Sequence, residues 1–145
     1  MELVQLDVTD ATSVSTAVAS VIRRAGRIDI LVNNAGVGII GAAEESSVAQ
    51  AQQLFDTNFF GLVRLTREVL PHLRAQGGGR IINIGSVLGL LPAPYAALYS
   101  ASKHAVEGTR GLWTMKPGNS ACGCQSSNPV SPRPRSAPMP SMPIH

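Results

Sequence analysis

The sequence predicts an open, doubly wound α/β fold with a parallel sheet. Three observations carry that expectation. Short apolar runs alternate with helical stripes, in the order strand, helix, strand, helix, strand, helix. The run "DILVNNAG" is continuously apolar before it turns polar, as in a parallel strand covered on both faces. The polar strand ends, Asp7, "NNAG" and "GS", all fall on the carboxyl edge of the sheet, where open α/β sheets bind ligands.

Each element has its own signal. Met1–Val8, "MELVQLDV", alternates enough for a short strand. In the next segment Thr9 or Asp10 can cap a helix, Val14, Val18, Val21 and Ile22 form its apolar stripe, and Gly26 ends it. Val48 to Ala75 is a longer helical pattern, with Leu54, Leu62, Leu65, Val69 and Leu73 on one face. Gly77–Gly79 stops it, and "RIINIGSV" is the next buried strand. A loop with Pro92 and Pro94 leads to a helix carrying "YSASKHAVEG". Crossovers between such strands are right-handed.

Composition narrows the function. The chain has 145 residues, 44% apolar and 14% charged, enough for one small domain. Its net charge of +3 is uneven. Residues 1–108 carry 8 Lys/Arg against 9 Asp/Glu. The remainder, 109–145, adds four basic residues, no acid and 7 of the 10 prolines. Basic residues are not gathered with aromatics on a folding segment, which argues against a nucleic-acid partner. Cys122 and Cys124 lack the second pair that a structural zinc site needs, so no metal is expected. No apolar run is long enough to span a bilayer, so no membrane partner is expected, and the default expectation is a cytoplasmic protein.

Tyr99 and Lys103 are four residues apart, on one face of a helix. A phenol is a poor acid near neutrality, but an adjacent ammonium favours its phenolate and makes it a usable proton carrier. Ser86 lies thirteen positions earlier, at the end of the preceding strand. Asn58 sits in the long helical stripe beside Leu54 and Leu62, where a buried amide is costly without partners. Singly, each feature has an ordinary reading. Any helix can show Tyr-x-x-x-Lys, Asn58 can be a satisfied core amide, and "NNAG" can be a turn.

Together they are specific. From about Met1 to Gly108 the chain resembles the short-chain dehydrogenase/reductase family, through "LDVTD", "NNAG", "NFFG", "IGSV" and "YSASK" in that order. "NNAGVGIIG" and "LYSASKHAVEG" look most like its hydroxysteroid and retinol dehydrogenase branch. The resemblance implies a partial Rossmann-type sheet and hydride transfer between NAD or NADP and a secondary alcohol or ketone. It implies that Tyr99 is the general acid/base, that Ser86 holds the substrate oxygen, and that Lys103 holds the nicotinamide ribose and supports the Tyr99 phenolate. Asn58 would anchor a proton-relaying water. Asp7 would touch the adenine, and Asn33, Asn34, Ala35 and Gly36 would flank the cofactor. A small-molecule substrate and, in a full-length parent, a homo-oligomer are implied partners. The alternative is a catalytically inactive remnant, a pseudogene product or a subunit-association fragment.

Two departures from the family accompany the resemblance. The Gly-rich phosphate turn and the elements around it do not precede "LDVTD", and Gly36–Gly41 contains G-x-G in the wrong context. Very weak cofactor binding is therefore expected. Residues 109–145 lose the family's wording and are expected to form a disordered, Pro-rich tail translated out of frame. In the alternative frame, Trp113–Thr114 encodes aspartate and Met115–Lys116 encodes glutamate, two acids placed where the family's helix would continue.

Overall fold

In a computed structural model of the chain, residues 2–109 and 123–126 are described. Helix α1 covers Ala11–Ala25. Its cap is Asp10, whose carboxylate accepts from Thr12 N at 2.8 Å. Gly26 closes it at φ 76°, its N–H donating to Ile22 O at 2.8 Å. Strand β1 (Ile30–Asn33) follows, then α2 (Val48–Phe55), a π-helical turn (Asp56–Gly61) and α3 (Leu62–Ala75). Strand β2 is Arg80–Asn83, α4 is Ala97–Gly108 and β3 is Gly123–Ser126.

The sheet is parallel in the order β1-β2-β3, with Asn33 opposite Asn83 and Asn83 opposite Ser126. The architecture is Rossmann-like, as expected. Two expectations about strands need correction. Residues 2–8 join no ladder, and Leu3, Val4 and Leu6 stay exposed, although the outer edge of β1 is unpaired among the described residues: alternation alone does not make a strand. The third strand is instead Gly123–Ser126, within the stretch expected to be irregular. The rest of 110–145, with the frame-shift reading and Cys122, lies outside the described residues.

One face of the sheet is packed. Leu31 and Ile81 meet Val14, Val18 and Ile22 of α1 and Leu65, Val69, Leu70 and Leu73 of α3. On the other face Ile30 is 55% and Val32 49% exposed. The expected two-sided cover is thus one-sided among the described residues.

The long helix expected over Val48–Ala75 begins and ends there but is not uniform. Ser47 caps it in a reciprocal pair with Gln50. The π turn interrupts it, the type of local widening often found at functional sites. Gly61 lets this turn press on the Asp7–Val8 loop, because a Cβ there would lie 2.7 Å from Val8 Cγ2. Arg64 fastens the same contact, bonding Asp56 Oδ1 at 2.6 Å and Val8 O at 3.3 Å. Among the described residues no helix is long and apolar enough to cross a membrane.

Candidate active site

The site gathers where the carboxyl ends of β1 and β2 meet α4 and the π turn. After β2 the chain runs through Ile84 and Gly85 to Ser86, whose Oγ caps a 3₁₀ turn (Val87–Gly89) by accepting from Leu88 N at 3.2 Å. Helix α4 presses on that turn. A Cβ at Gly89 would stand 2.9 Å from Lys103 O, so only glycine permits this approach. The chain reaches α4 through Tyr95, held at φ 61° with its carbonyl bonded by Gly41 N at 2.9 Å. That bond ties the loop after β1 to the loop before α4.

Lys103 is 6% exposed. Its Nζ donates to Ile84 O at 3.1 Å and lies 5.8 Å from the centre of the Tyr99 ring. Burial lowers its pKa below the ordinary lysine value. Tyr99 and Lys103 therefore share one helix face, as their spacing predicts. Both line a cavity of about 360 Å³ together with Asn34, Gly36, Gly38 and Leu88. Ser86 does not line it, although Gly85 and Leu88 on either side of it do.

Asn58 is 2% exposed and engaged at both ends of its amide. Its Oδ1 accepts from Val37 N at 2.8 Å. Its Nδ2 donates to Val37 O at 2.9 Å and to Ser102 Oγ at 3.0 Å. The cost of an amide in the apolar stripe is thereby offset.

Asn33 is buried beneath the sheet edge, its Nδ2 donating to Asn83 Oδ1 at 2.8 Å and Thr66 Oγ1 at 3.0 Å. Its Oδ1 is buried without a protein partner. Asn33, Asn34 and Ala35 line a second, smaller cavity of about 130 Å³ with Leu6, Val8, Asn58 and Lys103. Asp7 lines neither cavity. Its exposed carboxylate accepts from the Thr9 hydroxyl at 2.7 Å and Thr9 N at 2.8 Å, which holds its pKa below the ordinary value. Among the described residues no three His, Cys, Asp or Glu side chains gather as metal ligands.

The residues present fit one end of a nicotinamide cofactor. At Gly36 a Cβ would lie 3.3 Å from Asn58 Oδ1 and 3.6 Å from Lys103 Nζ, so glycine leaves open the space beside the ammonium. No glycine-rich strand-to-helix turn for a pyrophosphate occurs among the described residues. Sequence reasoning passed over Ser102, the Val37 backbone and the Ile84 carbonyl. Ser102 alone had a signal, a small polar residue one helical turn after Tyr99. Backbone partners have none.

The short chain dehydrogenase family profile matches residues 1–115. The chain belongs to the short-chain dehydrogenase/reductase family. It is 45% identical over 108 residues to a 3-ketodihydrosphingosine reductase of Bacteroides thetaiotaomicron, covering 74% of this chain and 40% of that protein. It is 44% identical over 108 residues to retinol dehydrogenase 8 of Homo sapiens, covering 74% of this chain and 34% of that one. A short chain dehydrogenase/reductase from Burkholderia phymatum, solved in complex with NAD, superposes with a TM-score of 0.78 at 31% identity, covering 83% of this chain and 44% of that chain. The match thus covers less than half the length of each of these proteins.

Proposed function

We propose that this chain carries the proton-transfer corner of an NAD(P)-dependent oxidoreductase acting on a secondary alcohol or ketone. The observation that carries the reading is the shared cavity of Tyr99 and Lys103, opening beside the side-chain-free Gly36. The nicotinamide, when bound, accepts or supplies the hydride. The chain's own residues do the rest. Tyr99 exchanges a proton with the substrate oxygen, and Ser86 orients that oxygen with its hydroxyl. Lys103, aimed by Ile84 O, supports the Tyr99 phenolate and holds the ribose hydroxyls. Asn58 fixes the Val37 turn against α4, beside a water that relays protons to Lys103. Asp7 contacts the adenine, and Asn33, Asn34, Ala35 and Gly36 support the sheet edge and flank the cofactor.

The test is cofactor-linked turnover by the full 145-residue chain, with NAD and NADP each supplied in large excess over a panel of secondary alcohols and ketones. The expected result is slow turnover that Ser86→Ala abolishes. Absence of turnover together with absence of any cofactor-induced shift in Tyr99 or Lys103 resonances would overturn the reading.

One observation favours the subunit-association reading as a second role. Val48 and Phe60 stand exposed beside an open apolar hollow of about 560 Å³ that Ala51 and Phe55 also line. Phe60→Glu should then lower the mass seen in sedimentation. A chain that sediments as a monomer with Phe60 intact would remove this role.

A further inference from the structure

Ser102 lies on α4 between Tyr99 and Lys103 and has 0% exposure. Its hydroxyl donates to Tyr99 O at 2.8 Å, which commits its only proton. The oxygen can therefore only accept, and what it accepts is the Nδ2–H of Asn58 at 3.0 Å. The Asn58 amide is then read three times. Val37 N demands an oxygen on one side, while Val37 O and Ser102 Oγ demand the NH₂ on the other. A flipped amide would set oxygen against two acceptors in a buried space, where unpaired groups are most costly. Ser102 also forms a side-chain hydrogen bond from the helix bearing Tyr99 and Lys103 to the π turn.

We propose that Ser102 is a positioning residue that acts through Asn58: by accepting from its amide it keeps Asn58 Oδ1 turned toward Val37 N and Gly36 and pins α4 to the π turn. As a contribution to turnover, this rests on the proposed oxidoreductase reading; as a statement about Asn58 it does not. The consequence is local. Both amide protons of Asn58 have a partner while Ser102 is present, and one loses it when the hydroxyl is removed. The Val37 bonds then hold the amide alone, and it can rock about them. Since Oδ1 and Lys103 Nζ both face the space above Gly36, rocking spoils the floor on which a cofactor ribose would rest.

The test uses the full chain and two variants, Ser102→Ala and Ser102→Cys. The first readout is exchange of the Asn58 carboxamide protons by ¹⁵N NMR. Ser102→Ala should speed it roughly three- to tenfold, the scale of one net hydrogen bond, while backbone amides of α1 and α3 keep their protection. Ser102→Cys preserves volume and a weak sulfur acceptor, so it should restore part of the protection, and it carries the test if the alanine variant does not fold. Unchanged exchange in the variants would overturn the proposal. The second readout is turnover in a cycle with Asn58→Ala. Ser102→Ala should lower turnover alone and add nothing once Asn58 is gone. Equal falls in both backgrounds would overturn action through Asn58. A chain without any turnover fails the oxidoreductase reading and leaves the amide exchange to decide Ser102.

Discussion

The apolar layer between α1, α3 and the sheet differs in kind from the corner between the π turn, α4 and the strand ends. In the layer, Val14, Leu73 and Ile81 are held by non-directional contact. In the corner, Asn58, Ser102 and Lys103 are held by five bonds of 2.8 to 3.1 Å to named atoms, four of them to backbone carbonyls or amides. The first arrangement supplies stability and tolerates small shifts of one side chain against another. The second supplies placement and tolerates few. The difference teaches where a substitution should register: as lost folding free energy in the layer, and as lost geometry in the corner.

Leu73→Ala should show the layer's behaviour most strongly. Leu73 has no exposed surface, so truncation should cost about 2–5 kcal/mol in denaturant unfolding. The molecules that remain folded should keep the Asn58 carboxamide protected. Loss of that protection in the folded fraction would show that the two regions are one unit.

Asn58→Ala should show the opposite pattern. It strips partners from Val37 and Ser102 at a cost of about 1–3 kcal/mol, yet the larger effect should fall on Tyr99 and Lys103 resonances and on turnover. Asn58→Asp sharpens this, because a carboxylate faces two acceptors, Val37 O and Ser102 Oγ, and should do no better than alanine. A fully active aspartate variant would contradict the acceptor-only role of Ser102.

Lys103→Met probes the charge buried in the corner. The Lys103 pKa is lowered by desolvation from the ordinary 10.5. Between the lowered value and 10.5 the unfolded chain binds more protons than the folded one. The lysine's contribution to stability therefore rises as pH climbs through that window and is least favourable below it. The methionine variant, which removes the buried charge, should gain relative to wild type at neutral pH. The gain should shrink as alkaline pH removes the lysine's proton. A difference that does not change with pH would show that solvent reaches the ammonium.

Much of this was legible in the sequence. β1, β2, α1 and the start of α2 follow from apolar runs and helical stripes, and the ends of α1 from Asp10 and Gly26; the Ser47 cap emerged only in the structure. The Tyr99–Lys103 face follows from helical spacing alone. Other features were hidden for physical reasons. The π turn leaves Leu54 and Leu62 both buried, so the apolar stripe carries no mark of it. Whether residues 2–8 pair is decided by tertiary contact, which no local pattern encodes. β3 is a backbone pairing of "GCQS", a stretch with little strand propensity. Ser102 was passed over although its place one turn after Tyr99 is visible, because what matters is where its one proton goes.

The central claim is that Tyr99, and not another titratable group of α4, exchanges the proton. His104 is the nearest rival in sequence, but a step of one residue turns it to another face, where it is exposed and its Nδ1 meets Ser100 O at 2.8 Å. The direct measurement is cofactor-linked turnover of Tyr99→Phe beside His104→Ala, each checked for unchanged folding. The account predicts a fall on the order of 10²–10⁴-fold for Tyr99→Phe, the loss of a positioned general acid, and a mild change for His104→Ala. Near-normal turnover in Tyr99→Phe with a dead His104→Ala would contradict it.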